Sequence, residues 1–229
     1  MIGELEKKIK YKFKDEDLLL IALTHSSYAN EKSEEIEFNE RLEFLGDSVL
    51  SLLISEYLFR NFPDYTEGDM TKIRALVVCE NSLSLASKKI GIGKYLKLGK
   101  GEEKGGGRDR NSNLADVFEA VIGAIYIDGG LEKAYDFLKI SLFDILKDTI
   151  SGKVIFVDYK TKLQEILQKD NSRQMHYVLA DEYGPEHDKR FLTELYIDGE
   201  VYGVGEGKTK KESEQNAAKI GYDKLCETL

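Results

Sequence analysis

Residues 40–60 constrain the fold of this chain more than any other stretch of its sequence. The stretch has a helical pattern and is apolar on nearly every side after Asp47, which is typical of a central helix surrounded by other elements. Gly46 lies inside it, where glycine costs about 1 kcal/mol relative to alanine. We expect the close approach of another backbone, from a second helix or a second subunit, to offset that cost.

Four carboxylates lie in two predicted helices. Glu43 and Asp47 have i,i+4 spacing and Asp116 and Glu119 have i,i+3 spacing, so each pair shares one helical face. Because both faces are embedded in apolar sequence, unpaired carboxylates there would be costly. A single one would more often be a solvated residue or a partner of Arg41. Four together favour a divalent cation, and all-oxygen ligands favour Mg²⁺, with Mn²⁺ as a substitute, over Zn²⁺.

Composition limits the class of protein. The 229 residues are 41% hydrophobic and 33% charged, as expected for a globular protein of two modest domains. The longest apolar runs are about a dozen residues, too short to span a bilayer, and the N-terminus lacks the apolar core of a secretory signal. Cys79 and Cys226 are isolated thiols, which fit a reducing cytoplasm. We therefore expect a cytoplasmic protein with no membrane partner.

The periodicity of the sequence changes near residue 150. Before it, helical patterns predominate, and the predicted helices cover residues 17–23, 40–60, 71–79, 81–90, 113–127 and 131–148. After it come an amphipathic helix, three strands and a last helix, with predicted ranges 159–169, 175–180, 192–197, 201–204 and from 210 onward. The predicted fold is an all-α domain at 1–150, a linker at 151–157, and a small α+β domain at 158–229 with the order α-β-β-β-α.

Local signals support the second domain. Asp198-Gly199 is typical of a two-residue hairpin turn between strands, and Thr209-Lys210-Lys211-Glu212 is typical of a capping box that opens the last helix. In the first domain, residues 99–110 are rich in glycine and partly basic. We expect a flexible connector there that could contact a phosphate backbone, although it lacks the residue order of a nucleotide-binding loop.

The acidic motifs resemble those of a known family. Residues 39–48, Asn-Glu-Arg-Leu-Glu-Phe-Leu-Gly-Asp-Ser, resemble the signature segment of ribonuclease III, an endonuclease that cuts double-stranded RNA. Leu114–Ala124 resembles the second acidic motif of that family. Asp158–Leu225 resembles its double-stranded-RNA-binding domain, with Gly184-Pro185-Glu186-His187 and Lys210-Lys211 in the family's places.

The resemblance implies an activity and roles for the carboxylates. It implies Mg²⁺-dependent cleavage of double-stranded RNA by a homodimer, with 5′-phosphate and 3′-hydroxyl products and short 3′ overhangs, in the processing of ribosomal and other structured RNA precursors. Asp47 and Glu119 would be the most critical catalytic residues, and Glu43 and Asp116 would join them as metal ligands. Two divalent ions about 3.5–4 Å apart could supply the activated water and the charge neutralisation that phosphodiester hydrolysis needs.

Further residues match the family or depart from it. Glu40 matches an acidic family position and lies one helical turn before Glu43, so it can face the same cavity. Glu67 also matches, although a turn carboxylate is the alternative there. The departures are Met70, where leucine is common, and Ser213, where alanine is common. Neither affects the acidic set.

Histidine usage favours the metal-dependent route. Metal-free RNA cleavage through the 2′-hydroxyl usually needs a general acid and base with near-neutral pKa values, most often histidines. The chain has His25, His176 and His187, and none lies beside the acidic motifs in sequence. We expect His25 to be a hydrogen-bonded structural residue.

The second domain is expected to recognise A-form RNA by shape. Its net charge does not exclude this, because a local basic patch suffices even in a chain of net charge −9. A polar helical face could contact a minor groove, a turn a second minor groove, and a basic helix N-terminus the phosphates. The candidate RNA-binding residues are Thr161, Gln164, Gln168, His187, Lys208, Lys210 and Lys211. A solvated polar face remains the alternative for the two glutamines.

Two rival functions were considered. A non-catalytic double-stranded-RNA-binding protein on the same scaffold would not need all four carboxylates, and a metal phosphohydrolase of small substrates would not explain the attached RNA-binding domain. For the homodimer, Phe44 is the candidate subunit contact, because it lies on the exposed side of the signature helix near Gly46. The alternative is packing of Phe44 within its own domain.

Overall fold

The computed structural model describes residues 2–32, 35–151, 159–168, 173–185 and 189–228. The chain divides into two compact units, Met1–Phe156 and Val157–Leu229. Of the predicted linker at 151–157, only Ser151 lies within the described residues. Among the described residues, no helix is long and apolar enough to cross a membrane.

The first unit is helical, as predicted. Short 3₁₀ turns at Ile92–Tyr95 and Gly107–Asp109 interrupt its α-helices. The α-helices are α1 Ile2–Ile9, α2 Glu16–Ala22, α3 Ser26–Asn30, α4 Glu40–Asn61, α5 Glu67–Val77, α6 Glu80–Ile90, α7 Lys100–Lys104, α8 Asn111–Gly129, α9 Leu131–Ser141 and α10 Phe143–Ile150.

Helices α4 and α8 form the centre of the first unit. Their apolar side chains are fully buried at Leu50, Ile54 and Leu58 of α4 and at Phe118, Val121, Ile122 and Ile125 of α8. The two backbones touch at Gly46, where a Cβ atom would overlap the carbonyl oxygen of Glu119, and at Gly123, where it would overlap that of Leu42. The expected compensation for Gly46 therefore comes from a second helix of the same unit.

One helix that the sequence predicts is divided into two in the structure. Residues 131–148 were predicted as a single helix, but α9 ends at Ser141 and α10 begins at Phe143. Leu142 between them has a φ of −120°, and both Leu142 and Phe143 are buried, at 0% and 8% exposure. The break at Leu142 therefore lies inside the core of the unit, with both side chains buried.

The glycine-rich segment, predicted to be a flexible connector, is folded. It contains α7 and a 3₁₀ turn, and Arg108 donates hydrogen bonds to the carbonyl oxygens of Gly93, at 2.7 Å, and Leu96, at 2.9 Å. Arg110 pairs with Glu102 at 2.6 Å. The two arginines therefore stabilise this segment itself.

The second unit has the predicted order α-β-β-β-α. Its elements are α11 Tyr159–Gln168, β1 Met175–Tyr183, β2 Arg190–Ile197, β3 Glu200–Gly207 and α12 Lys210–Thr228. The strands form an antiparallel sheet in the order β1-β2-β3, and one face of the sheet packs against both helices. The fully buried core includes Leu163, Leu195, Ile197, Ala217 and Ala218.

The hairpin turn and the helix cap that the sequence predicts are both present in the structure. Asp198 and Gly199 have φ values of 52° and 83°, the left-handed pair that a type I′ hairpin turn requires. The backbone N–H of Glu212 donates to the Thr209 hydroxyl at 3.1 Å, as a capping box predicts. The Glu212 carboxylate, however, accepts from the backbone N–H of Lys208, at 2.7 Å. The reciprocal half of the box is therefore displaced by one residue.

Ser213, the departure from the family pattern in the last helix, is accommodated by hydrogen bonds. Its buried hydroxyl lies 2.6 Å from the buried hydroxyl of Thr193 and donates to the carbonyl oxygen of Lys210 at 2.9 Å. Since buried polar groups cost free energy only when unpaired, the serine is compatible with this core.

The contact between α4 and α8 leads to a stability prediction. Gly46→Ala should lower the free energy of unfolding of the first unit by about 3 kcal/mol, because the new methyl group would overlap backbone atoms that cannot rotate away. Chemical denaturation followed by circular dichroism measures this. The control is Gly3→Ala in α1, where nothing lies within 4 Å of an added Cβ, so stability should stay equal or rise slightly. Equal stability of both variants would contradict the close approach.

Candidate active site

The first turns of α4 and the middle of α8 present the four predicted carboxylates. Glu43 and Asp47 flank Gly46 on α4, and Asp116 and Glu119 lie on α8. Since Gly46 contacts the backbone of Glu119 itself, the two acidic pairs begin within one helical turn of the closest point between the helices. Close packing of the two helices, set by glycine, brings the pairs together.

Burial and repulsion by neighbouring carboxylates raise the pKa values of Glu43 and Glu119. Burial is the main cause of a raised pKa of about 8 for Glu119, and the charges of Asp47, Glu43 and Asp116 add to it. Burial also raises the pKa of Glu43 to about 7, with further contributions from Asp116, Glu40 and Asp47. Glu43 and Glu119 therefore each lie within electrostatic range of Asp47 and Asp116, and the charge of Glu40 acts on the same cluster.

Asp116 interacts with two residues that sequence reasoning did not assign to the site. Burial raises its pKa, the Glu80 carboxylate raises it further, and His25 lowers it. Glu80 is the first residue of α6 and His25 precedes α3. Neither has a sequence signal that links it to the acidic motifs, because both come from distant segments that only tertiary packing brings near α8.

His25 is hydrogen-bonded, as predicted. Its Nδ1 atom accepts from the backbone N–H of Ser27 at 3.1 Å and caps the N-terminus of α3. Backbone hydrogen bonds to Lys97 hold the residue in place. The N–H of His25 donates to the carbonyl oxygen of Lys97 at 3.1 Å, and the N–H of Lys97 donates to the carbonyl oxygen of Leu23 at 2.8 Å. The ring is thus fixed beside the site by its structural contacts.

The cluster has a charge that a divalent cation would neutralise. Within the described ranges, no lysine or arginine forms an ion pair with Glu43, Asp47, Asp116 or Glu119. In the same residues, no three Asp, Glu, His or Cys side chains are already arranged to hold a metal ion between them. Binding of an ion between the two helices therefore requires rotation of these side chains. Hard oxygen donors of this kind fit Mg²⁺ or Mn²⁺.

Glu67 lies apart from this cluster within the protomer. It is the first residue of α5 and accepts a hydrogen bond from the Thr71 hydroxyl at 3.0 Å. It lines a groove beside the later turns of α4, together with Leu52 and Phe59. Its surroundings in one protomer are those of a helix N-terminal carboxylate.

A stripe of exposed apolar side chains runs along one face of α4. Phe44 is 79% exposed, Phe59 73% and Leu52 54%. Their separations of eight and seven residues place them on the same helical face. Phe44 therefore does not pack within its own unit. We call Phe44, Leu52 and Phe59 the α4 stripe.

The predicted RNA-binding residues are described only in part. Gln164 is exposed on α11, and Lys208, Lys210 and Lys211 are exposed where α12 begins. His187 and the side chains of Thr161 and Gln168 lie outside the described residues.

Comparison with protein families assigns both units. Residues 15–146 match the family model described as Ribonuclease-III-like, and residues 159–225 match the double-stranded RNA binding motif. The match to the first model covers more than half of the chain, including both acidic motifs.

Curated relatives span the whole chain. Ribonuclease 3 of Caldanaerobacter subterraneus is 52% identical over 225 residues, covering 98% of both chains, and ribonuclease 3 of Clostridium perfringens is 50% identical over 224 residues, covering 98% of this chain and 94% of the relative. Among solved structures, the nuclease domain of ribonuclease III from Campylobacter jejuni is 41% identical, with a TM-score of 0.57, covering 61% of this chain and 95% of that one. The chain therefore belongs to the ribonuclease III family and is an endoribonuclease with a double-stranded-RNA-binding motif.

Proposed function

We propose that the carboxylate cluster of α4 and α8 is the site at which this protein hydrolyses double-stranded RNA with Mg²⁺, which Mn²⁺ could replace. One observation carries the proposal. Four carboxylates lie on two helices in backbone contact, and no lysine or arginine in the described residues forms an ion pair with them. Three of the four, Glu43, Asp116 and Glu119, are partly buried and have raised pKa values. A structural role would favour uncharged side chains at such positions, whereas a cation-binding role needs the carboxylates.

The proposed ligands are Glu43, Asp47, Asp116 and Glu119, with Asp47 and Glu119 the most critical for catalysis. A bound divalent ion would supply charge neutralisation at phosphorus and an activated water. The fixed backbone contact at Gly46 holds the ligands from both helices in register. Glu40 adds negative charge at the edge of the cluster. Glu67 lies apart from the cluster of its own protomer, so it would contribute to a site only if a dimer brought it near the partner's cluster.

Hydrolysis at this site should leave 5′-phosphate and 3′-hydroxyl ends. The alternative route through the 2′-hydroxyl needs a pair of groups that exchange protons near neutral pH. His25 is committed to capping α3, and His176 stacks on Tyr196 in the second unit with ring centroids 5.2 Å apart. The described histidines therefore do not form such a pair.

The α4 stripe supports a homodimer. Large exposed apolar side chains along one face of a helix are typical of a protein interface, and a two-fold interface uses the same patch on both protomers. The related Campylobacter jejuni nuclease domain is described as having a region involved in dimer formation. Two acidic clusters in a dimer would each cut one strand and leave short 3′ overhangs.

In the second unit we propose that Thr161, Gln164 and Gln168 contact one minor groove, the turn with His187 a second, and Lys208, Lys210 and Lys211 the phosphates between them. Substrates would be ribosomal and other structured RNA precursors. We accordingly propose that the enzyme acts in the cytoplasm, where such precursors are made.

Substrate discrimination tests the proposed function directly. Matched RNA duplex, DNA duplex and single-stranded RNA, each end-labelled, should show Mg²⁺-dependent cleavage of the RNA duplex alone, because only A-form RNA combines 2′-hydroxyls with the required groove shape. Products should carry 5′-phosphates and be staggered on the two strands. Comparable cutting of single-stranded RNA, or cyclic-phosphate ends, would contradict the proposal.

The role of Glu119 is tested by Glu119→Gln, which removes one ligand charge and keeps the side-chain size. We expect cleavage of the RNA duplex to fall by several orders of magnitude while duplex binding is retained. The matched control is Glu132→Gln on α9, an exposed carboxylate outside the cluster, which should leave cleavage unchanged. Near-normal cleavage by Glu119→Gln at ordinary Mg²⁺ concentration would exclude this role.

The same variant has a stability signature that does not depend on activity. Because the folded-state pKa of Glu119 is about 8, against about 4.5 in the unfolded chain, burial of the ionised carboxylate and, secondly, repulsion by its neighbours lower stability progressively as pH rises between these values. Without divalent ions, Glu119→Gln should therefore melt at a higher temperature than the wild type at pH 8.5 and at a similar one at pH 4.5. Mg²⁺ should stabilise the wild type more than the variant at pH 8.5. Thermal unfolding with and without chelator measures both effects.

The dimer is tested by Phe44→Ala. A large aromatic side chain in a dimer interface is expected to contribute at least about 2 kcal/mol, so the dissociation constant should rise by roughly thirtyfold or more. Leu85→Ala on α6 is the control, since Leu85 is also exposed but lies outside the α4 stripe. Sedimentation over a dilution series distinguishes them. An unchanged dimer in Phe44→Ala would remove Phe44 from the interface.

A further inference from the structure

An acidic side chain lies between two lysines at one end of the sheet in the second unit. The Glu182 carboxylate, near the end of β1, is 2.5 Å from the Lys189 ammonium before β2 and 2.9 Å from the Lys210 ammonium at the start of α12. These two hydrogen bonds hold the pKa of Glu182 below its usual range. The paired ends of β1 and β2 and the start of α12 therefore meet in one ion-paired cluster.

An aromatic ring supports this arrangement. The Phe191 ring on β2 lies under both ammonium groups, with Lys189 Nζ 5.4 Å and Lys210 Nζ 5.8 Å from its centroid. Contacts at these distances attract a cation to the ring face. The ring and the carboxylate thus hold the Lys210 side chain in one place, although it remains 60% exposed. An anion from solution can still reach it.

Lys210 differs in this respect from its neighbours. Within the described part of the chain, neither Lys208 nor Lys211 forms an ion pair, whereas Lys210 is already paired with Glu182. An ammonium has three hydrogens, so Lys210 can contact a phosphate and Glu182 together, but the negative charge of Glu182 offsets part of the attraction between the ammonium and the phosphate. Binding of a phosphate at Lys210 is therefore weaker than at an unpaired lysine, and it releases fewer counterions.

We propose that Glu182 competes with RNA phosphate for Lys210 and thereby lowers the affinity of this unit for duplex RNA. The proposal rests on the proposed phosphate-binding role of Lys210. Its consequence is a binding surface held below its maximum affinity, which favours dissociation of short duplex products. The competing group belongs to the folded domain itself, so its effect is present for every RNA sequence.

Glu182→Gln tests the proposal in the full-length protein. With chelator present to prevent cleavage, the anisotropy of a labelled RNA duplex gives the dissociation constant over a range of salt concentrations. The variant should bind about two- to fivefold more tightly, the range expected for an exposed ion pair. Its log–log salt dependence should be steeper by up to roughly one unit, because one more phosphate contact would release counterions.

Two further variants distinguish this effect from a nonspecific effect of removing one negative charge. Glu200→Gln removes the same charge at the opposite end of the strands, beside the β2–β3 turn, and should leave affinity near that of the wild type. Lys210→Ala combined with Glu182→Gln should abolish the gain. Unchanged or weaker binding by Glu182→Gln, an equal gain from Glu200→Gln, or a gain that persists without Lys210 would each overturn the competition. If Lys210→Ala had no effect in either background, the phosphate-binding role of Lys210 itself would be wrong.

Discussion

The backbone contact between α4 and α8 is the interaction on which the rest of the first unit depends. Gly46 and Gly123 each lack the Cβ atom that would overlap the opposite helix, so the two axes approach more closely than side chains would permit. The surrounding apolar residues then bury completely, and the burial of a large aliphatic or aromatic side chain contributes roughly 1.5–3 kcal/mol. The same contact determines where the first turn of α4 meets the middle of α8.

That geometry places like charges where they destabilise the fold. Glu43 and Glu119 have pKa values raised to about 7 and about 8 because burial and neighbouring carboxylates oppose their ionisation. The packing of α4 against α8 holds the cluster together against this repulsion. In the proposed function, a bound cation would relieve this repulsion, which is a compromise between stability and activity. The apolar contact and the acidic cluster are therefore two parts of one arrangement.

Close backbone contacts at glycines also position the elements of the second unit. Gly203, Gly205 and Gly207 of β3 would each overlap the backbone of α12 if they carried a Cβ atom, so the helix lies directly on the strand. This close packing brings the N-terminus of α12 to the end of the sheet where β1 finishes. Lys210 consequently meets Glu182 and the ring of Phe191, three residues that no local pattern connects.

The sequence by itself determined the class of each unit, the helical spacing of the four carboxylates and the hairpin turn, because periodicity, i,i+3 and i,i+4 spacing and Asp-Gly turn chemistry are local properties. It did not determine the break at Leu142 or the folded glycine-rich segment, which depend on what Leu142 and Arg108 contact. Only the tertiary structure brought Glu80 and His25 beside Asp116 and placed Glu182 against Lys210. Those contacts join residues far apart in the chain, and such pairings arise from packing of whole elements, which no local pattern encodes.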